Sequence, residues 1–136
     1  MRVIGLDVGD RRVGVAISDP LGKTAQPLET LERDGGLMER LAVLVRDTGA
    51  ERMVVGLPLL MDGREGEQAR KVRRFTRDLE ESLDVSVVLL DERLTSREAR
   101  NILEAGGFKP RREKGATDRV AAALILRAYM DGLPEE

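Results

Sequence analysis

The 136-residue chain contains neither histidine nor cysteine. Their absence excludes Ser-His-Asp triads, cysteine nucleophiles, disulfides, iron–sulfur clusters and zinc sites with nitrogen or sulfur ligands. General acid–base chemistry would have to come from Asp, Glu, Lys, Tyr or a metal-bound water. A metal site would need oxygen ligands, which favours Mg²⁺, Mn²⁺ or Ca²⁺ over softer ions.

Aromatic residues are almost absent as well, with two Phe, one Tyr and no Trp. Proteins that bind single-stranded bases by stacking need aromatic side chains. If the chain binds nucleic acid, the composition therefore favours recognition of backbone and shape, as in duplex or branched substrates. An RNA substrate remains compatible with this.

Long apolar runs are missing too, so the sequence predicts no segment that spans a bilayer. The N-terminus enters a strand pattern directly, which predicts no signal peptide. We expect a cytoplasmic protein, and the lack of cysteine fits a reducing compartment.

What is present suits one folded domain over residues 1–136. Hydrophobic residues make up 41% of the chain and charged residues 35%, with a net charge of −2. The charge is unevenly distributed, because residues 93–114 hold seven basic and only three acidic residues. A basic stretch of this kind is typical of polyanion binding, whatever the net charge.

The order of elements predicts an α/β fold, a five-stranded mixed sheet flanked by helices. A hairpin (2–8 and 12–18) and a third strand (24–31) come first. Helix, strand, helix, strand and two helices follow. We expect these later elements to be a helix from 37 to about 49, strand 52–57, helix 67–83, strand 85–90, a helix from 95 to about 106, and helix 117–130. A hairpin followed by β-α-β crossovers implies a mixed sheet.

Three carboxylates fall at positions suited to a metal-dependent phosphodiesterase. Asp7 interrupts an apolar strand, Glu92 ends another, and Asp118 opens the last helix. Ligands collect at the carboxyl ends of strands in such sheets, so the three can converge there. Two Mg²⁺ or Mn²⁺ ions about 4 Å apart would then clamp an in-line displacement at phosphorus. Taken singly, Asp118 could be a helix-dipole residue and Glu92 a solvated strand end.

Several basic residues could bind substrate phosphates next to these carboxylates. Arg11 and Arg12 follow the Asp7 strand, although an ordinary exposed hairpin explains them equally well. A polar loop leads into Asp118, and basic residues there would make counterion-releasing phosphate contacts. The loop residues are Lys109, Arg111, Arg112 and Lys114.

Several sequence motifs, found in the same order, make the chain resemble the YqgF/RuvX family, the Holliday-junction-resolvase-like proteins of bacteria. The matching segments are 5–19 (GLDVGDRRVGVAISD), 55–59 (VGLPL), 61–63 (MDG), 91–96 (DERLTS) and 114–126 (KGATDRVAAALIL). One departure is Leu60, where the family usually has Asn, a polar substrate contact. The resemblance implies a ribonuclease-H-like fold, with catalytic, metal-binding carboxylates at Asp7, Glu92 and Asp118. Between the adjacent Asp91 and Glu92, the resemblance favours Glu92.

The resemblance implies a metal-dependent endonuclease that processes the 5′ end of the 16S ribosomal RNA precursor. Resolution of Holliday junctions is the alternative role, and two symmetric cuts would imply a homodimer. Monomer and homodimer both stay open. A non-catalytic nucleic-acid-binding factor is an alternative of another class. The actin-like fold of sugar kinases also opens with Asp-x-Gly, but those proteins need a second such domain.

Overall fold

A five-stranded mixed sheet organises the part of the protein that the computed structural model describes, residues 2–92 and 116–132. The strands are β1 (Val3–Val8), β2 (Arg12–Ser18), β3 (Ala25–Glu32), β4 (Arg52–Leu57) and β5 (Ser86–Asp91). The described helices are α1 (Leu37–Thr48), α2 (Glu67–Ser82) and α3 (Ala116–Asp131). The predicted helix from Thr95 and the basic loop after it lie outside the described residues.

The sheet order is β3-β2-β1-β4-β5. The first three strands form an antiparallel meander, and β1, β4 and β5 pair in parallel. Crossovers through α1 and α2 join β3 to β4 and β4 to β5. Such crossovers are needed because a tight hairpin cannot connect parallel strands. The prediction of a five-stranded mixed sheet flanked by helices is therefore confirmed.

The edge strand β3 tolerates Pro27, which lacks the amide hydrogen that a central strand needs. The pairing with β2 shifts register between Val15 and Ala16: Val15 pairs with Glu29 and Ala16 with Pro27. Leu28 is the additional residue, as in a β-bulge, and its side chain is exposed. The third strand is thus present in spite of the proline, one residue later than predicted.

The two faces of the sheet are covered by different helices. Alternate strand residues such as Leu6, Val15 and Met53 pack with α1 and α2 in a core of large aliphatic side chains. The other face carries smaller residues and packs against α3, whose residues 122–126 are all buried. Within the described part of the chain, no helix has the length and apolarity that crossing a membrane requires.

Candidate active site

Asp7 lies on the α3 face of the sheet, because side chains alternate along a strand. Its neighbour Leu6 enters the opposite core, and Asp7 itself pairs with Gly14 of β2 in the central hairpin. The Asp7 side chain is only partly exposed. Burial is the main cause that raises the pKa of Asp7 above its usual range, since a desolvated carboxylate binds its proton more tightly.

Glu92 follows β5 and reaches the same face. Leu89 of β5 packs in the α1/α2 core and Leu90 against α3, so continued alternation directs Asp91 away from Glu92. The carbon chain and one oxygen of Glu92 lie directly over Gly56 of β4, where an added Cβ would come within 2.8 Å of Glu92 Cγ. The neighbouring strand therefore helps to seat Glu92 beside Asp7.

Asp7 and Glu92 share a hydrogen bond between their side chains. Burial is the largest cause that raises the pKa of Glu92, to about 7, and the charge of Asp7 is the next. The shared hydrogen bond raises the pKa of Glu92 and opposes the rise at Asp7. Burial and mutual repulsion thus favour protonation of the pair, relative to two isolated carboxyl groups.

Asp118 stands in the first turn of α3 and completes the acidic group from the other side. Its Oδ2 accepts a hydrogen bond from Arg12 Nε at 3.2 Å, an ion pair across 106 residues of sequence. The Arg12 and Asp118 side chains are 34% and 27% exposed, respectively. The Asp118 charge also raises the pKa of Asp7, so the two carboxylates lie within electrostatic reach of each other.

Glycines in the strands allow this close approach of α3 to the sheet. A Cβ at Gly14 would overlap the backbone carbonyl of Asp118, and one at Gly5 would come within 2.9 Å of the Ala122 carbonyl oxygen. The small residues of α3 indicate a close approach in the sequence, but sequence reasoning missed the matching glycines. Their signal is a glycine inside a strand, which often marks the close approach of another backbone.

The β1–β2 turn that carries Arg11 and Arg12 is held in place by Arg33. The Arg33 backbone amide donates to Arg11 O, and its side chain donates to Gly9 O at 2.8 Å. The guanidinium also lies 5.1 Å from the ring centre of Phe75 on α2. On the same turn Arg11 is exposed, whereas Arg12 is partly buried by its contact with Asp118.

The other predicted phosphate-binding residues lie outside the described part of the chain, namely Lys109, Arg111, Arg112 and Lys114. On α2, the arginine row at 70, 73, 74 and 77 faces outward, and Arg73 is paired with Glu65. A solvated helix face explains this row. Leu60, which replaces the family's usual Asn, is 47% exposed beside Met61 at 92%.

The oxygen donors of the acidic group suit a hard divalent cation. Two of the three carboxylates, however, contact each other, and the third is paired elsewhere. Carboxylate oxygens are the ligands that Mg²⁺ and Mn²⁺ prefer. Among residues 2–92 and 116–132, however, no three acidic side chains are close enough together to hold one ion. Asp7 and Glu92 bind each other, while Asp118 is turned to Arg12.

Comparison with known sequences identifies one family over almost the whole chain. A family model described as "RuvX: Holliday junction resolvase" matches residues 1–132. A protein of Syntrophus aciditrophicus named "Putative pre-16S rRNA nuclease" is 47% identical over all of this chain and 92% of its own length. A Synechococcus elongatus protein of the same name is 45% identical over 94% of this chain and 87% of its own length.

Solved structures show the same fold at low sequence identity. Thermus thermophilus RuvC in complex with a Holliday junction substrate superposes with a TM-score of 0.62 at 20% identity, over 96% of this chain and 95% of its own. The fowlpox virus resolvase with Holliday junction DNA gives 0.57 at 12% identity, over 99% and 100%. The fold is therefore that of the ribonuclease-H-like resolvases.

Proposed function

This chain belongs to the RuvX Holliday junction resolvase family, and from that premise we propose that it is a divalent-metal-dependent endonuclease that cleaves nucleic-acid phosphodiester bonds. The observation that carries the proposal is the partly buried, hydrogen-bonded pair of Asp7 and Glu92, with Asp118 within electrostatic reach of Asp7. A fold that only needed stability would not bury two carboxylates against each other, because their mutual repulsion and desolvation are costly.

Asp7, Glu92 and Asp118 are proposed as the metal ligands, for Mg²⁺ or Mn²⁺ and in all for two ions. When bound, such ions polarise the phosphodiester and make water a stronger nucleophile. The three carboxylates would supply the oxygen ligands and would bind the cation in their ionised form. The charge of a bound cation would offset the repulsion by Asp7 that, after burial, raises the pKa of Glu92.

Substrate phosphates are proposed to bind the basic residues around this acidic group. Arg11 is exposed on the braced β1–β2 turn, next to Arg12. The remaining candidates are supported by the sequence alone: Lys109, Arg111, Arg112 and Lys114. Contacts of this kind bind the backbone without reading base sequence, which suits a chain poor in aromatic residues.

We propose the 5′ end of the 16S ribosomal RNA precursor as the substrate region, and a cytoplasmic location. The names of the relatives at 45–47% identity support the 16S ribosomal RNA precursor as the substrate. Resolution of Holliday junctions is the second candidate, and the family description and the junction held by RuvC in its complex favour it. Junction resolution would require a homodimer for its two cuts, whereas RNA trimming is compatible with a monomer.

The test is cleavage of two labelled substrates, a precursor 16S leader RNA and a four-way DNA junction, in Mg²⁺ or Mn²⁺. Asp7→Asn is the inactivating variant. Asp84→Asn is the matched control, because Asp84 is an exposed carboxylate just before β5, at the end of that strand opposite to Glu92. We expect RNA cleavage that Asp7→Asn abolishes and Asp84→Asn retains.

Each other outcome selects one alternative. Cleavage of the junction alone would move the assignment to resolution of branched DNA. If both substrates bind and neither is cleaved with either ion, the catalytic proposal fails and a non-catalytic nucleic-acid-binding factor takes its place. Cleavage that survives Asp7→Asn would remove the carboxylate pair from the chemistry.

A further inference from the structure

We propose that Arg12 is an internal counterion that holds Asp118 apart from Asp7 and Glu92 and yields it to an entering divalent cation. The inference rests on the proposed function, since it concerns the same acidic group. Its starting point is the ion pair between Arg12 Nε and Asp118 Oδ2 at 3.2 Å. This pair accounts for the lack of a three-ligand group among the described acidic residues, although Asp7 interacts with both Glu92 and Asp118.

The electrostatics favour Arg12 as the partner of Asp118 while no cation is bound. Asp118 and Asp7 repel each other, and after burial the charge of Asp118 is the next cause that raises the pKa of Asp7. A guanidinium stays charged at any ordinary pH and lowers the energy of a neighbouring carboxylate. Both side chains are about one third exposed, so the pair is weaker than a buried one and can be exchanged.

The backbone around Asp118 allows the exchange without moving the helix. The Asp118 carbonyl lies against Gly14, so the main chain at this point is already seated on β2. Rotation of the Asp118 side chain alone can then redirect its carboxylate from Arg12 towards Asp7. Such rotations of partly exposed side chains are fast and cost little.

Release of Asp118 would leave the Arg12 guanidinium without its acid at the edge of the active site. Its planar set of donors suits a phosphate group, which can take the place of the lost carboxylate. Metal binding and nucleic-acid binding should therefore strengthen each other, and linkage requires the coupling to be equal in both directions. Arg12 would thus prevent either ligand from binding fully without the other.

A permanent orienting role for Arg12 predicts the opposite change in metal affinity on removal of Arg12. If Arg12 holds Asp118 in its metal-binding position, removal of Arg12 should weaken metal binding. If Arg12 competes with the metal for Asp118, removal should tighten it. Because the two roles differ in sign, metal affinity distinguishes them without any measurement of cleavage.

The experiment is calorimetric titration of Mn²⁺ alone into the full chain, Arg12→Gln and Arg11→Gln. Arg11→Gln is the matched control, since it removes the same charge from the next residue, which is exposed. We expect Arg12→Gln to tighten Mn²⁺ binding about tenfold. Arg11→Gln should change it less than about threefold, since it removes only the screened, longer-range repulsion between a positive charge and the ion. Unchanged or weaker binding in Arg12→Gln would overturn the proposal.

Two further variants guard against indirect effects. Arg12→Lys keeps the charge, should fold like the parent, and is expected to lie between the parent and Arg12→Gln. In an Asp118→Asn background, Arg12→Gln should no longer tighten binding, because the competed ligand is gone. Tightening that persists there would contradict the exchange at Asp118.

The second readout is binding of a short labelled RNA duplex by fluorescence anisotropy, with and without Ca²⁺. The parent should gain affinity on addition of Ca²⁺, and Arg12→Gln should lose most of that gain; an equal gain in both would count against the proposal. Failure of the parent to bind Mn²⁺ would reject both the metal-dependent function and the role of Arg12. Normal Mn²⁺ binding without an Arg12 effect would reject only the latter.

Discussion

The two faces of the sheet show how one set of strands divides stability from chemistry. On the α1/α2 face, residues such as Ile4, Leu41 and Leu79 are fully buried among other large aliphatic side chains. On the α3 face, glycines such as Gly5 and Gly14 let the helix approach closely, and the carboxylates of Asp7 and Glu92 are partly buried there. Burial of apolar side chains on the first face stabilises the fold, whereas partial burial of carboxylates on the second face destabilises it.

The difference teaches that close approach and charge placement are linked. A strand that carried large side chains on both faces would hold α3 farther away, and Asp118 would not reach the hairpin. Residues without side chains at Gly14 and Gly56 bring the helix and Glu92 close enough to meet Asp7. Such sites are expected to lower stability in return for function.

The largest effect is expected from a side chain placed in the α3 contact. Gly14→Ala puts a Cβ into the Asp118 carbonyl, so the first turn of α3 must move. We expect a loss of about 3 to 4 kcal/mol in the free energy of unfolding and loss of Mn²⁺ binding. Chemical denaturation and calorimetry measure the two. Gly35→Ala, whose Cβ would meet no atom within 4 Å, should leave both unchanged.

A cavity in the opposite face should affect stability alone. Leu79→Ala removes a side chain with 0% exposure from the α1/α2 core. We expect the free energy of unfolding to fall by about 3 kcal/mol, measured by urea denaturation, with Mn²⁺ affinity unchanged in the folded protein. Leu28→Ala, at an exposed position, is the control. Altered metal affinity in Leu79→Ala would contradict the division between the faces.

Glu92→Gln should stabilise the metal-free protein at neutral and alkaline pH. The pKa of Glu92 is raised from 4.5 to about 7, so its contribution is fully present below pH 4.5 and is lost as pH rises through about 7. After allowance for solvent screening, the gain of the variant at pH 8 is about 1 to 2 kcal/mol. Unfolding in EDTA between pH 4.5 and 8.5 measures it.

The pH course distinguishes this effect from a general loss of charge. The difference between Glu92→Gln and the parent should vanish near pH 4.5 and become constant above pH 7. Glu80→Gln changes an exposed carboxylate on α2 and should follow the parent at every pH. A gain that is equal at pH 4.5 and pH 8 would show that the raised pKa of Glu92 is not its cause.

The smallest effect is expected from loss of Arg33, which links the β1–β2 turn to Phe75 on α2. Arg33→Ala removes the hydrogen bond to Gly9 O and the contact with Phe75. We expect a loss of about 1 kcal/mol in the free energy of unfolding and a severalfold weaker affinity for duplex RNA. Arg46→Ala, on the exposed surface of α1, should change neither. Denaturation and fluorescence anisotropy provide the two measurements.

Local pattern is sufficient to predict most of the fold. The strand 52–57 agrees with the prediction at both ends, and the helix beginning at Leu37 ends before Gly49, which takes the left-handed conformation that favours glycine. The edge strand lies one residue later than its pattern predicts, because the bulge opposite Val15 and Ala16 has no local signature. The resemblance supplies the family, and the fold follows from it.

Sequence alone determined the kind of metal ligand that the chain can offer. Because it has no histidine and no cysteine, its metal ligands must be oxygen atoms, chiefly of acidic side chains. It also determined the alternation that separates Asp91 from Glu92. Tertiary structure alone decided that Asp7 and Glu92 form a partly buried, hydrogen-bonded pair and that Asp118 is paired with Arg12. Burial and charge neighbours set these states, and both arise only when β1, β5 and α3 meet.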